Sequence, residues 1–494
     1  MSKPELSPAL LTIFGITGDL SRRKLLPSLY HLAKDGLLPK TFRIVGITRK
    51  AMTVDEVLER IKTSVEASGN SCDQEILEWL ASIITIIEMD LTKADDYARL
   101  KTELDATEDE IGVCLNRLFY LAIPSTIFAP IVEQLGNKQL NTGCQHGTAE
   151  SRLLIEKPFG YDLASAEELM QMLGKSFDEE QIFRIDHYLT KETAQNIVTL
   201  RFENPLFHST FNKAHIHRVM ITAAEEIGIE GRAAFYEQMG ALRDLIQSHL
   251  LQLLALVAME QPQSRDTASI HAAKYNVLKN VLSPHPDEMA NKAIRGQYQS
   301  YKDEVDNHNS NVETFAAIEF AIDNDRWRGV PFFVRTGKSL KEKVTEITLV
   351  YNSPDLPDCE NYLTIRIQPN EGIVLDLRIK KPGFAEEIEH IQMDFCYHEQ
   401  IDAMHPDAYE RVLVDAIRGD KTLFATRDEV LENWRIVQPI LHAWQNNLTP
   451  LHVYQNNSWG PEAADTLIKA HGGTWLNDNR NVCSVHILPS DHNE

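Results

Sequence analysis

Residues 11–24 read LTIFGITGDLSRRK. A run of apolar β-formers ends in Gly15 and Gly18, and Asp19 precedes the basic trio Arg22, Arg23 and Lys24. In a dinucleotide-binding fold a strand runs into a glycine-rich turn and then a helix, whose N-terminal amides and dipole hold a pyrophosphate. Gly15 and Gly18 stand where the second and third glycines of GxGxxG belong, and Ile13 takes the place of the first. On this stretch alone two readings stand: a phosphate turn, or a tight strand-to-helix corner that needs glycine.

The surroundings extend the first reading. Residues 9–15 read as a buried strand, 19–34 as a helix and FRIVGIT (42–48) as a second strand. TVDE at 53–56 is a capping-box pattern that opens another helix. Strand patterns follow at SIITIIEMD, RLFYLAIP and RLLIE, with a helix near TIFAPIVEQLGN. This rhythm predicts an α/β domain over residues 1–185, a Rossmann-type doubly wound parallel sheet. From 186 to 494 the pattern is α+β. A strand at AHIHRVMITAAEE leads into a helix from about Ala233 to Met259, then a polar region over 262–312. Strand candidates ETFAAIEFAI, VTEITLVY, YLTIRIQ and IVLDLRIK alternate as a mainly antiparallel sheet packed on helices would. Helical patterns return at AYERVLVDAI and DEVLENWRIVQPILHAW.

Composition narrows the class. The 494 residues carry a net charge of -23, which repels nucleic acid and anionic membranes. No apolar stretch is read as long enough to span a bilayer, and the start lacks a secretory pattern, so the expectation is a cytoplasmic protein. Six scattered cysteines without a CxxC pair read as reduced thiols. His215 and His217 form an HxH without further ligands at suitable spacing, so no metal is expected. Against the acidic background, Arg22, Arg23, Lys24, Arg49 and Lys50 cluster early, and Lys338, Lys341 and Lys343 late. Such pockets suit an anionic small molecule, although surface lysine and arginine commonly serve solubility alone. The second strand ends in Arg49 and Lys50 rather than an acidic residue. A guanidinium there suits a ribose 2'-phosphate, which favours NADP over NAD.

Further motifs lie downstream: EKPFG (156–160), RIDHYLTKE (184–192), IEGR (229–232), RDLIQSHLLQ (243–252), FVRTGKSL, IRIQPNEG and PDAYERVLVDAIRG. With GITGDLSRRKL they resemble the glucose-6-phosphate dehydrogenase family from about residue 10 to about residue 445. The resemblance implies hydride transfer from C1 of glucose 6-phosphate to NADP, giving 6-phosphogluconolactone. It implies His249 as general base, an assignment consistent with an imidazole that titrates near neutrality. Asp186 would hold the other ring nitrogen, as the carboxylate does in catalytic triads. His187, Tyr188 and Lys191 would grip the sugar phosphate, and Glu225, Asp244, Lys338 and Lys343 the rest of the substrate. The neighbouring Glu226 leaves the register of Glu225 open. Asp244 precedes His249 by five residues, and at roughly 100° per residue the two stand on loosely related helix faces.

On the cofactor side the resemblance implies Gly15, Ile16, Thr17, Gly18, Asp19, Leu20, Arg22, Arg49, Asp90 and Leu91, with Pro124 beside the nicotinamide. Lys157 would lie between cofactor and substrate, aimed by Pro158. Ser21 and Thr190 stand where the family often has alanine and glycine. Arg335 and Arg366 match positions that hold a second, structural NADP in some members, but Val344 replaces an expected lysine, so no second NADP is expected. The family also implies a homodimer or a dimer of dimers. Two rival readings are a sugar dehydrogenase of the glucose-fructose oxidoreductase type and a non-catalytic NADP sensor. RIDHYLTK and the late lysines oppose the first, and the His249–Asp186 pair opposes the second.

Overall fold

Strand β1 (Ala9–Phe14) is buried along its whole length and lies at the centre of a sheet. Leu11 and Ile13 join the core on one face, and Leu10 and Phe14 the core on the other. A strand covered on both faces must be continuously apolar, which is why ALLTIF shows no alternation. The computed structural model describes residues 6–144, 149–353, 360–384, 386–397 and 406–476.

Around β1 stand β2 (Phe42–Thr48), β3 (Ile84–Glu88), β4 (Asn116–Leu121), β5 (Ser151–Ile155) and β6 (Ile182–Ile185), all parallel, in the order 6-5-4-1-2-3. This is the doubly wound dinucleotide-binding order, in which the chain reverses direction of travel beside β1 and leaves a crevice at the strand ends. Helix Val54–Ala67 begins with the capping box at Thr53 and Glu56 read from the sequence.

The second sheet contains β7 (Ile216–Ala224), β8 (Val281–Leu282), β9 (Ala293–Tyr298), β10 (Phe315–Ile322), β11 (Phe332–Gly337), β12 (Val344–Tyr351), β13 (Tyr362–Gln368), β14 (Gly372–Lys380) and β15 (Ile388–Cys396). Short β16 (Phe424–Ala425) returns to the first sheet, antiparallel to β6, and β17 (Leu451–Tyr454) closes the second beside β9. The order is 15-14-13-12-7-11-10-9-17, with β8 on β10. Pairing is antiparallel except for β7 with β11 and β9 with β17. The predicted α/β plus α+β architecture is therefore present.

Four expectations need correction. The polar region over 262–312 contains helix Thr267–Leu278 and β9, because its buried charges are paired or hydrogen-bonded within the fold. Lys274 meets Glu429 at 3.2 Å, and Arg295 donates to the carbonyls of Trp444 and Thr449. Polar letters thus sit in core positions. The stretch Ala233–Ala258 is long and apolar enough by composition to cross a bilayer, yet 89% of its most apolar window is buried inside the protein. It is a core helix. It also breaks at Gly240, where φ is 63° and ψ is 172°. Finally, Cys114 and Cys144 are joined in a disulfide, against the reading of six reduced thiols. Their separation of 30 residues gives no local signal of proximity. Cys359 and Cys483 lie outside the described residues.

Candidate active site

At the end of β1 the chain turns through Gly15 at φ 87°, and a Cβ there would lie 2.7 Å from the carbonyl oxygen of Ala122. A Cβ on Gly18 would approach the Gly15 oxygen to 3.0 Å. Gly15 is therefore required and Gly18 crowded by close backbone approach, the geometry that lets a diphosphate reach the amides of the turn. Ser21, buried below, donates its hydroxyl to the Gly15 carbonyl at 2.9 Å. The serine that departs from the family pattern thus braces the turn. Arg22 and Arg23 both pair with Asp19 at the exposed rim, at 2.8 and 3.0 Å. Arg60, which the sequence did not single out, reaches across from helix Val54–Ala67 to donate to the Thr17 carbonyl at 3.1 Å. Arg49 is exposed after β2 and has no ion pair among the described residues, so its fork is free for an anion. The cradle and these cations fit a phosphorylated dinucleotide. Asp90 follows β3, turned by bonds from the amide and hydroxyl of Thr92, with Leu91 beside it.

The chemical centre lies where the two halves of the chain meet. His249 Nδ1 is 2.5 Å from Asp186 Oδ1. Asp186 leaves the end of β6, and His249 sits in the core helix. Burial pushes the Asp186 carboxyl up, but the charge and hydrogen bond of His249, helped by His187 and Lys157, hold it well below the usual carboxylate range. For His249, burial lowers the pKa and Asp186 only partly offsets this, so the imidazole stays neutral to lower pH than usual. Tyr188 stacks on the His249 ring at 4.4 Å, and His187 meets it edge-on at 4.5 Å. The orientation of the His249 ring is thereby fixed from three sides.

Lys157 Nζ lies 2.8 Å from His249 Nε2 and donates to the Asp244 carbonyl at 2.5 Å. It also faces the Asp244 carboxylate at 3.6 Å. With Nδ1–H directed at Asp186, Nε2 carries the lone pair and accepts from the ammonium. Residues 242–250 are wound in wider i→i+5 turns rather than α turns. That winding brings residues five apart towards one face, so Asp244 and His249 share a pocket instead of standing on loosely related faces. Burial raises the Asp244 carboxyl, but Lys157 and Lys338 outweigh it and keep the group ionised. Lys338 Nζ meets Glu225 Oε2 at 2.5 Å and approaches Asp244 Oδ2 to 4.0 Å. Glu225 rather than the exposed Glu226 faces this cluster.

Lys191 caps helix Glu192–Glu203, its side chain half-buried and without an ion pair among the described residues. Thr190 donates its hydroxyl to the His187 carbonyl at 2.8 Å and so tightens the same turn. Lys343 is half-buried just before β12, with no ion pair to the cluster. Pro124 follows β4 at the start of a short turn. Arg335 is enclosed by Trp475 and Trp459 and donates to Thr222, while Arg366 faces Glu346. Both are occupied within the protein. His217 faces Glu360 at 3.9 Å, and among the described residues no group of three possible metal ligands gathers.

Helix Ala408–Arg418 stands where the pattern AYERVLVDAI places one, but sequence reasoning missed what it touches. It packs on the first sheet's core, where Glu410 meets His31 at 2.9 Å, and Arg411 reaches Gln195 at 2.6 Å and Glu192 at 3.3 Å. One late helix therefore braces both the helix after the glycine turn and the start of the helix capped by Lys191. These partners lie hundreds of residues apart and leave no local pattern.

A doubly wound dinucleotide domain joined to a larger sheet domain, with a buried histidine–aspartate pair beside a lysine where they meet, defines a nicotinamide-dependent dehydrogenase acting on a hydroxyl. Residues 12–196 match the family described as "Glucose-6-phosphate dehydrogenase, NAD binding domain", and residues 198–476 match its "C-terminal domain". The chain belongs to the glucose-6-phosphate dehydrogenase family. It is 40% identical to glucose-6-phosphate 1-dehydrogenase 2 of Mycobacterium bovis over 95% of this chain and 94% of that one. With glucose-6-phosphate 1-dehydrogenase of Chlamydia muridarum the identity is 38%, over 96% and 97% of the two chains. A solved glucose-6-phosphate dehydrogenase in complex with glucose 6-phosphate aligns over 96% of this chain and 100% of its own, with a TM-score of 0.88 and 34% identity.

Proposed function

We propose that His249 takes the proton of the C1 hydroxyl of glucose 6-phosphate as C1 is oxidised. The activity is oxidation of glucose 6-phosphate at C1 to 6-phosphogluconolactone with reduction of NADP to NADPH, the entry step of the oxidative pentose phosphate pathway. NADP, when bound, supplies the hydride acceptor. The observation that carries the assignment of the base is the buried Asp186–His249–Lys157 line, with His249 Nε2 turned towards Lys157. The C1 hydroxyl would displace the Lys157 ammonium from the Nε2 lone pair, so that its proton passes to the imidazole while the shifted ammonium faces its oxygen. Asp186 then faces an imidazolium, and its ionised carboxylate stabilises that charge as the C1–O bond gains carbonyl character.

Gly15, Ile16, Thr17, Gly18, Asp19, Leu20 and Arg22 form the diphosphate turn in this reading, Arg49 takes the 2'-phosphate, and Asp90 and Leu91 flank the adenosine. His187, Tyr188 and Lys191 hold the sugar phosphate, supported by the helix that begins at Glu192. Glu225, Asp244, Lys338 and Lys343 orient the sugar. We place the dinucleotide domain at 1–185 and the substrate and dimerisation domain at 186–494. A cytoplasmic enzyme with no nucleic-acid or membrane partner agrees with the net charge of -23. A homodimer, or a dimer of dimers, is supported by Ile388 and Met393, which stand exposed on edge strand β15. The match over both halves favours this reading over a sugar dehydrogenase of another family or an NADP sensor. The test is NADPH absorbance on mixing protein, NADP and glucose 6-phosphate. Folded, NADP-binding protein that gives no signal with this sugar would overturn it.

A further inference from the structure

We propose that Glu313 is a positioning residue for the sugar end of this site, holding the helix of Asp244 and His249 in register with Lys338. The inference rests on the site reading above and adds a residue that touches neither substrate nor cofactor. At the break at Gly240 the core helix starts afresh, and a helix start exposes amides with no partner inside the helix. Glu313 satisfies two of them: its carbonyl accepts from Ala241 N at 2.9 Å, and its carboxylate accepts from Leu242 N at 3.1 Å. A carboxylate at that end also opposes the positive pole of the helix. Gly240 is needed twice over, since its φ is positive and a Cβ would lie 2.3 Å from Glu313 Oε1.

The next residue extends the link. Thr314 accepts the Lys338 amide on its carbonyl at 2.9 Å, and its hydroxyl oxygen accepts the Tyr298 amide at 3.0 Å. Phe315 pairs with Gly337 where β10 meets β11. Two consecutive residues therefore hold both elements whose side chains, Asp244 and Lys338, stand 4.0 Å apart in the substrate cluster. Glu313 is buried and forms no ion pair among the described residues. A buried carboxylate is costly to keep unless such bonds use it. Asp244 lies in the turn after the capped amides, so slackening the start of the helix moves it against Lys338 before it disturbs His249, which Asp186 and Tyr188 hold separately.

The test uses the full chain with E313A, E313Q and, as a reference for the site itself, K338A. We measure KM for glucose 6-phosphate and NADP, kcat, the pH profile of kcat/KM and Tm. The expected result for E313A is a KM for glucose 6-phosphate raised about 10-fold, the scale of one lost buried hydrogen bond. Its KM for NADP and the pH of its acid limb stay as in the wild type. E313Q, whose amide oxygen still accepts from Leu242, returns KM to within about 2-fold of wild type. A purely structural role would lower Tm and leave the KM split unmoved. E313Q as impaired as E313A overturns the inference, as does an unchanged KM in E313A beside a raised KM in K338A. Unchanged KM in both variants overturns the site reading and the inference with it. If E313A does not fold, E313D decides. Its shorter side chain withdraws the acceptor, so a raised KM supports the proposal and an unchanged KM overturns it.

Discussion

His249 Nδ1 and Asp186 Oδ1 stand 2.5 Å apart in a site that leaves His249 0% and Asp186 2% exposed. D186N keeps the shape but can offer an N–H where the imidazole needs an acceptor, so the ring loses its tautomer and the partner of its charged form. The expected loss in kcat is about 10²- to 10⁴-fold. The sign of the pH effect follows from the charges. Activity needs neutral His249, so kcat/KM falls as pH drops through its pKa, which burial sets below the ordinary imidazole value. Asp186 raises that pKa, so its removal moves the acid limb to lower pH while the plateau falls. A pH profile of both proteins checks this.

Lys157 contacts His249 Nε2 and the backbone and side chain of Asp244 at once. K157A should therefore lower kcat as well as raise the KM for substrate, with kcat reduced at least about 10-fold for a lost charge at a reacting oxygen. Steady-state kinetics decide the point, and unchanged turnover would remove Lys157 from the site.

Glu156 sits one residue before Lys157 and accepts from the Tyr120 hydroxyl at 2.6 Å. Burial pushes its carboxyl up to about 7 from 4.5, against the opposing pull of Tyr120 and Lys157. The folded chain then holds a proton that the unfolded chain releases above pH 4.5, so stability falls as pH rises from about 4.5 to about 7. A shift of that size corresponds to a loss on the order of 3 kcal/mol. E156Q cannot ionise and keeps the acceptor, so its Tm relative to wild type should rise by several degrees between pH 5 and pH 8. Parallel Tm curves would sink the assignment.

Legibility in the sequence divides by range of interaction. LTIFGITGDLSRRK exposed the central strand and its turn because strand burial and glycine placement are local, and TVDE marked a helix start for the same reason. The parallel sheet followed from the succession of strand and helix patterns along the first half. Hidden were contacts between distant residues: Glu410 with His31 spans 379 positions, and buried Lys274 reads as surface until Glu429 is placed beside it. The wide winding at 242–250 was also silent, because LRDLIQSHL satisfies an α-helical pattern as well. The family motifs supplied His249 and Asp186. The geometry added how Ser21 and Arg60 brace the glycine turn and how Thr190 tightens the turn after Asp186.

Arg49 projects into solvent after β2 without an ion pair among the described residues. If it receives the 2'-phosphate, R49A loses charge-assisted bonds worth about 1.5–3 kcal/mol and the kcat/KM for NADP falls roughly 10- to 100-fold. The value for NAD, which lacks that phosphate, should hold. The NADP preference of the wild type should also weaken with added salt, since an exposed pair is screened over about 10 Å at 0.1 M. Measuring kcat/KM with both cofactors across a salt series tests both parts, and an intact preference in R49A would reassign the contact.

Lys191 stands half-buried at the N-cap of helix Glu192–Glu203, three residues after Tyr188, beside the amides of the helix start. A phosphate dianion placed there gains from both, and a neutral sugar gains from neither. K191A should therefore raise the KM for glucose 6-phosphate by about 10- to 100-fold, within the range of a charge-assisted bond. Turnover of glucose itself should be unaffected, because no phosphate is present to miss the lysine. The informative quantity is the ratio of kcat/KM for the two sugars in wild type and variant, and that ratio should collapse towards one. If K191A depresses both sugars equally, Lys191 supports the fold of the turn through its place between Thr190 and Glu192 and does not read the phosphate.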